Sequence, residues 1–196
     1  MLINDRYDIQ DKIGSGSFGC VYRAIDLRSG TAIAIKIASR VDDRDDNDDM
    51  VALRHESKLH SSIKGITGIV QLKECGSIPT GYFITMELLG PSMFSACSGN
   101  PCSPMHVGVL GIQVVSVIKH IHRVGLVHRD INPKNVLLVG EQIPANALRM
   151  RVKLSDFGTA RAFMIKGKHT ELSYSGDAVG TPAYAGKRAL RGGSPS

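Results

Sequence analysis

The stretch HRDINPKN, residues 128–135, decides how the rest of the chain is interpreted. An apolar segment with helical spacing precedes it, and the apolar run at 136–138 that follows is typical of a short strand. We expect Asp130 to accept a proton from an attacking hydroxyl group, and Asn135 to hold a metal ion bound to phosphate. The motif Asp156-Phe157-Gly158 offers a second metal-binding carboxylate. The alternative, a surface turn with an incidental Asp, is disfavoured because both motifs occur in this order.

Length and composition are those of an ordinary globular chain. Its 196 residues leave room for one domain or two small lobes, with 42% hydrophobic and 21% charged residues. No uninterrupted apolar run approaches the roughly 18 residues of a membrane span, because Gly, Gln and Ser interrupt the longest, 107–118. The first ten residues are too polar for a signal peptide. We therefore expect a cytoplasmic or nuclear location and no membrane partner.

The charge distribution indicates which partners are possible, and the cysteine spacing indicates the state of the thiols. Residues 1–118 contain 11 Lys or Arg and 13 Asp or Glu, whereas residues 119–196 contain 13 and 5. The basic second half favours acidic or phosphorylated peptides, and it leaves a nucleic-acid-binding protein as a minor alternative. The four cysteines form no C-x-x-C pair, so they are predicted to be free, reduced thiols.

A glycine-rich loop lies near the N-terminus, with the sequence GSGSFG at 14–19. A helix should follow the last Gly of a Rossmann turn, but an alternating, β-rich segment follows here. The pattern therefore favours strand, loop and strand, with backbone amides that approach phosphates closely because glycine has no Cβ. A simple hairpin turn remains the alternative.

One lysine interrupts a strand that is otherwise apolar, at 31–37. An unpaired buried ammonium group is costly, so Lys36 needs an acidic partner. The helical pattern at 51–59 supplies Glu56. A solvent-facing Lys with an unrelated surface Glu is the alternative. Further along, Gly90-Pro91 marks the predicted boundary between two lobes, with Met86 behind a purine pocket.

Taken together, these segments resemble the eukaryotic protein kinases, and specifically the casein kinase I family. The matching words are IGSGSFG at 13–19, HESK at 55–58, MELLGPS at 86–92, HRD-x-x-P-x-N at 128–135 and GT-x-x-YA at 180–185. The resemblance implies a two-lobed fold that uses ATP and magnesium to phosphorylate Ser or Thr of protein substrates. It also implies backbone contacts to adenine from Glu87 and Leu89, with Leu137 as the floor of the pocket.

The resemblance, with the motifs above, assigns roles to individual residues. The catalytic set is Asp130, Lys36, Asn135 and Thr181. The metal ligands are Asn135 and Asp156. The nucleotide-binding set is Ile13, Gly14, Ser15, Gly16, Ser17, Phe18, Gly19, Val21, Ala34, Lys36, Glu56, Met86, Glu87, Leu89, Leu137 and Asp156.

Four departures from the family pattern stand out. Asn132 occupies the position of a Lys that touches the transferred phosphate, a loss expected to cost roughly 10²–10³ in rate by analogy with a lost oxyanion donor. Ala183 replaces an Arg that helps to bind acidic or phosphorylated substrates, and Ser95 replaces an acidic residue at the ribose. Finally, the chain is expected to be truncated, because further helices complete the second lobe in the family.

The predicted fold is α+β, with a five-stranded antiparallel first lobe carrying one main helix and a partial, mostly helical second lobe. The predicted domains are 7–90, 91–186 and a disordered basic tail, 187–196. The leading hypothesis is a casein kinase I-like Ser/Thr kinase, with activity in doubt because of Asn132 and the missing helices. The alternative is a truncated, non-catalytic, kinase-like module that binds nucleotide or a partner.

Overall fold

A computed structural model describes residues 1–16, 19–39, 48–98, 102–165, 168–169 and 180–186. The chain divides into two compact units. Unit 1 comprises Met1–Lys64 and Val70–Leu89, and unit 2 comprises Gly65–Ile69 and Gly90–Ser196. The predicted tail, 187–196, lies outside the described residues.

Over its described residues, unit 1 is an antiparallel sheet with one helix. Its elements are β1 (Leu2–Ile3), β2 (Tyr7–Gly16), β3 (Gly19–Asp26), β4 (Thr31–Ser39), α1 (Asp48–Ile63), β5 (Leu72–Ile78) and β6 (Gly81–Glu87). The strand order is β1-β2-β3-β4-β6-β5. Five of these strands and the helix match the predicted lobe. The sixth strand, β1, has two residues and pairs with the start of β2.

The sheet of unit 1 has an apolar cluster on each face of β4. Ile33, Ile35 and Phe83 are buried on one side. Ala38 and Ile84 pack with Met50 and Leu53 of α1 in a separate cluster. The alternation of apolar side chains along β4 therefore supplies both clusters, because successive residues of a strand point to opposite faces.

Unit 2 combines one long helix with short ladders. Its elements are α2 (Met93–Ala96), α3 (Pro104–Arg123), β7 (Leu126–Val127), β8 (Val136–Leu138), β9 (Val152–Leu154), β10 (Arg161–Ala162), β11 (Met164–Ile165) and β12 (Lys168–His169). Antiparallel pairs form between β7 and β10, β8 and β9, and β11 and β12. Two 3₁₀ turns lie at Ala147–Arg149 and Pro182–Tyr184. Together the two units confirm the predicted α+β class.

Helix α3 begins at a well-formed cap and carries the apolar stripe expected before the catalytic loop. Ser103 accepts a hydrogen bond from the backbone N–H of His106, and Pro104 occupies the first helical position. Val117 and Ile121 are buried, as the predicted stripe requires. Other apolar side chains, including Ile112, are exposed.

By length and composition α3 could cross a membrane, and 11% of its most apolar window is buried within the described chain. This finding concerns the mean hydropathy of a window, so it does not contradict the absence of an uninterrupted apolar run of this length, and the expectation of no membrane partner stays a prediction. The core helix of a soluble protein passes the same test, so the finding assigns no membrane.

The predicted state of the cysteines is wrong for one pair. Cys97 ends α2 and Cys102 directly precedes the cap of α3, and the two form a disulfide. Their Cα atoms lie 6.1 Å apart, within the range that a disulfide spans. Sequence spacing alone did not reveal this approach. Cys20 and Cys75 are free.

Candidate active site

The lysine predicted to hold phosphates has the partner that the sequence assigned to it. Lys36 lies on β4 and Glu56 on α1, and the Lys36 Nζ to Glu56 Oε2 distance is 2.9 Å. Both side chains are about 5% exposed. The pair satisfies the ammonium group inside unit 1, so the alternative of a solvent-facing Lys is wrong.

The glycine-rich loop is a hairpin between β2 and β3. Gly16 pairs with Gly19 in an antiparallel register. Gly19 has φ +122°, and a Cβ there would overlap the backbone of Ile37, so only glycine fits. The structure thus confirms the strand, loop and strand arrangement over the Rossmann turn. Ser17 and Phe18 lie outside the described residues.

The residues predicted to surround the nucleotide base in unit 1 are positioned by four neighbouring strands, β2, β3, β4 and β6. Along the register, Ala34 lies opposite Met86, and Val21 lies opposite Lys36. Ile13 is half-exposed, whereas Ala34 is buried. The backbone N–H of Glu87 donates to Gln71 O at 3.2 Å. Ile13, Gly14, Ser15, Gly16, Gly19, Val21, Ala34, Lys36, Glu56, Met86, Glu87 and Leu89 all belong to unit 1, and Leu137 belongs to unit 2.

In unit 2 a buried histidine sets the conformation of the catalytic loop. The backbone N–H of Asp130 donates to His128 Nδ1 at 3.2 Å, so the ring proton lies on Nε2, which donates to Ser155 O at 3.0 Å. Burial lowers the pKa of His128 and favours this neutral form. The ring also packs against Phe157, with centroids 4.7 Å apart. His128 therefore links the loop to the segment that carries Asp156.

The next residue of the loop reinforces the same link. Arg129 has φ +69°, a conformation that is uncommon outside glycine. Its Nε donates to Thr159 O at 2.6 Å, and the Thr159 hydroxyl donates to His128 O at 2.9 Å. These bonds compensate for the strained backbone and fix the direction in which Asp130 points.

The Asp130 carboxylate accepts hydrogen bonds from four neutral donor groups among the described residues. Oδ1 accepts from the Thr181 N–H at 2.8 Å, the Thr181 hydroxyl at 2.7 Å and the Asn132 amide at 3.0 Å. Oδ2 accepts from the Asn135 amide at 2.9 Å. The structure therefore brings together the three predicted catalytic residues of unit 2, Asp130, Asn135 and Thr181, and adds Asn132.

Glycine at position 180 makes the Thr181 contact possible. Gly180 has φ +99°, and a Cβ there would overlap the carbonyl of Arg129. A larger residue would push the segment away from the loop and remove two of the four donors to Asp130. The GT pair at 180–181 is therefore a packing requirement of the site.

These donors control the ionisation of Asp130. Partial burial by itself raises the pKa of the carboxyl group, but the hydrogen bonds from Thr181, Asn132 and Asn135 outweigh burial and hold the pKa below its ordinary value. The carboxylate is therefore ionised near neutral pH, as a group that orients and deprotonates a hydroxyl must be.

The two predicted metal ligands lie on connected segments. Asn135 O accepts from both the backbone N–H and the hydroxyl of Ser155, the residue before Asp156. The Asn135 amide nitrogen donates to Asp130, so its Oδ1 is the atom suited to a cation. One amide oxygen and one carboxylate fit Mg²⁺, which usually takes one or two protein carboxylates and completes its shell with phosphate and water. Within the described residues no group of three His, Cys, Asp or Glu forms a metal cluster.

The departures from the family pattern have clear positions. Asn132 is 4% exposed and touches the catalytic carboxylate. Lys134 does not take its place, since its Nζ lies over the Phe94 ring at 5.2 Å from the centroid. The backbone N–H of Ser95 donates to the Ser92 hydroxyl at the start of α2. Ala183 is exposed in the 3₁₀ turn after Thr181.

A comparison with known families agrees with this geometry. The model of the protein kinase domain matches residues 7–195. The chain belongs to the protein kinase family. The two-lobed, α+β kinase fold predicted from the sequence is confirmed, as is a protein kinase function at the level of the family. Kinases transfer a phosphoryl group from a nucleotide to a protein, which makes proteins and ATP the expected partners of this kinase domain.

Sequence reasoning named the charged residues of this kinase and missed the groups that hold them. Ser155 and Thr159 were assigned no role, although they connect the catalytic loop to the Asp156 segment. Asn132 was identified only as the loss of a cation. Its position two residues after Asp130 was the available signal, because Asn side chains often bond to backbone groups two residues away.

Proposed function

We propose that this kinase is a Ser/Thr protein kinase of the casein kinase I type, which transfers the γ-phosphate of ATP to a Ser or Thr hydroxyl of a protein. The observation that carries the proposal is the Asp130 carboxylate, which Thr181, Asn132 and Asn135 orient and keep ionised. The family words IGSGSFG, HESK and MELLGPS support the casein kinase I type.

Each polar group that matches the kinase motifs has a role in this proposal. Lys36, held by Glu56, positions the α- and β-phosphates, and the glycine-rich loop, 14–19, covers the phosphates. Asn135 and Asp156 hold Mg²⁺, which would neutralise charge on the phosphates when bound. Asp130 orients the substrate hydroxyl and accepts its proton as the oxygen bonds to phosphorus and ADP leaves.

The adenine end of the nucleotide completes the proposal. Backbone groups of Glu87 and Leu89 would bond the base, with Ile13, Val21, Ala34 and Met86 around it in unit 1. Leu137 of unit 2 would contact the base as well. These roles come from the family resemblance and from the strand register that groups the unit 1 residues.

The test is phosphate transfer from labelled ATP to casein by the wild type and by Asp130→Asn. We expect the variant to keep nucleotide affinity and lose at least about 10²-fold in kcat, the lower end of the contribution of a positioned general base. Equal activity in both proteins, or no activity from folded wild type, would contradict the enzyme proposal.

A second candidate function is a non-catalytic module that binds nucleotide or a partner protein. Asn132 favours it, because the phosphate-facing cation of the family is absent at this position. The module predicts ATP binding to the wild type by calorimetry with no transfer to casein, and the same result for Asp130→Asn. The same two measurements therefore separate the two functions.

A further inference from the structure

Asn132 is fully committed to hydrogen bonds. It is 4% exposed, and its Oδ1 accepts from the backbone N–H of Lys134 at 2.8 Å. Its Nδ2 lies 3.0 Å from Asp130 Oδ1, 3.3 Å from Asp130 O and 3.2 Å from Thr181 Oγ1. Because Oδ1 serves the Lys134 N–H, the amide orientation is fixed, and both N–H groups face Asp130 and Thr181.

The hydroxyl of Thr181 fixes which groups donate and which accept in the hydrogen bonds among Asn132, Thr181 and Asp130. It donates its only proton to Asp130 Oδ1 and can therefore only accept from the Asn132 amide. Asn132 thus acts on Asp130 in two ways, through its own hydrogen bond and through the hydroxyl that it orients. Such chains of hydrogen bonds couple their members more strongly than separate pairs.

The two oxygens of the carboxylate differ as a result. Oδ1 accepts from three donors, and an ionised carboxyl oxygen offers about two lone-pair sites. Oδ2 accepts only from Asn135 among its described partners. An incoming hydroxyl therefore finds room at Oδ2 and none at Oδ1.

We propose that Asn132 is a positioning residue, which ties Thr181 to Asp130 Oδ1 and so reserves Oδ2 for the substrate hydroxyl. This inference rests on the proposed kinase function. The residue replaces the cation of related kinases with a neutral clamp, so it contributes through the geometry of Asp130 and Thr181.

The first test is the kinetics of Asn132→Ala. We expect kcat for casein to fall by about 10²-fold, as for a small misplacement of a catalytic group, while the KM for ATP changes by less than about twofold. A large change in kcat with a small change in KM is the result that a merely structural role would not give.

A matched control is Asn146→Ala. Asn146 is an exposed asparagine of the same unit whose Oδ1 accepts the backbone N–H of Leu148 in a 3₁₀ turn. It makes the same kind of local bond away from Asp130, so its kinetics should match the wild type. Changes of kcat and of the KM for ATP by similar factors in Asn132→Ala would overturn the positioning role and indicate a structural role only.

The double variant Asn132→Ala with Thr181→Ala tests the route of the effect. If Asn132 acts largely through Thr181, the double loss in kcat should be little greater than the larger single loss. Losses that multiply would overturn the chain from Asn132 through Thr181 to Asp130.

A second readout does not depend on turnover. The backbone N–H of Thr181 donates to Asp130 Oδ1, so its hydrogen exchange, followed by NMR, should be faster in Asn132→Ala than in the wild type and unchanged in Asn146→Ala. An unchanged exchange rate would overturn the inference. Thr181→Val removes the hydroxyl that Asn132 contacts and is the variant to use if Asn132→Ala does not fold. A wild type without activity on casein would contradict the proposed function alone, because hydrogen exchange at position 181 would still decide the role of Asn132.

Discussion

The two units hold their central charged group in opposite ways. In unit 1, Lys36 is buried against Glu56, so one charge is balanced by another. In unit 2, Asp130 is held by hydrogen bonds from neutral amides, a hydroxyl and a backbone N–H in the described chain. Loss of one partner in unit 1 removes the opposite charge from a buried ion pair, whereas loss of one donor in unit 2 removes one of several neutral hydrogen bonds to Asp130 and changes its reactivity.

The largest expected effect follows from this contrast in unit 1. Replacement of Lys36 by Met removes the opposite charge that lies beside the buried Glu56 carboxylate, which should lower the free energy of unfolding by about 3–5 kcal/mol. Urea unfolding at pH 7 measures this, and Lys58→Met, at an exposed position of the same helix α1 that carries Glu56, is the control. A loss as small as that of the control would show that water reaches the pair and that the contrast between the units is wrong.

The double replacement Lys36→Met with Glu56→Leu sharpens the same comparison. Replacement of a whole buried ion pair by apolar side chains of similar size is often neutral or stabilising. We therefore expect the double variant to recover most of the stability lost in Lys36→Met, while kinase activity stays lost because Lys36 is proposed to hold phosphate. Failure to recover stability would indicate that the pair specifies the packing of α1 on the sheet.

How far the sequence predicts this molecule depends on the kind of feature. The strands of unit 1, the Lys36–Glu56 pair and the glycine loop followed from periodicity, turn residues and the need to pair a buried charge. The strand β1 and the Cys97–Cys102 pair did not, because two-residue strands and turn geometry leave little signal in local sequence. The local hydrogen bonds of Asn132 had a signal in the sequence, but its contact with Thr181 did not, because the two residues are 49 positions apart.

A positive charge at position 132 would give unit 2 the cation that Asn132 replaces. Asn132→Lys places an ammonium group where it can donate to Asp130 and also reach the transferred phosphate. We expect kcat to rise by up to about 10²-fold, with a smaller change in KM, because a cation near developing charge acts mainly on the transition state. Steady-state kinetics on casein measure this. A lower KM for casein or ATP with an unchanged kcat would show that the cation strengthens substrate binding and does not stabilise the transition state.

A smaller effect is expected at a second ionic group of unit 1. Arg6 donates to both carboxylate oxygens of Asp26, and this holds the pKa of Asp26 well below its ordinary value. A lowered folded pKa stabilises the fold above the unfolded pKa of about 3.9, and the contribution is lost as pH falls below that value. The stability difference between wild type and Arg6→Ala should therefore shrink between pH 6 and pH 3 in urea unfolding. A difference that is constant with pH would show that Arg6 acts by packing, for example on the Tyr7 ring.

The smallest expected effect concerns Ala183 and the choice of protein substrate. Ala183 is exposed two residues after Thr181, at the position where casein kinase I enzymes carry an Arg that helps to bind acidic or phosphorylated substrates. Ala183→Arg should raise kcat/KM for a peptide with an acidic or phosphorylated residue near the target Ser by about two- to fivefold, the range of an exposed ion pair. A neutral peptide of the same length serves as the control, and the gain should fall as salt increases. An equal gain for both peptides would mean that the residue at position 183 acts on Thr181 and, through it, on Asp130. Position 183 would then affect catalysis and not the choice of substrate alone.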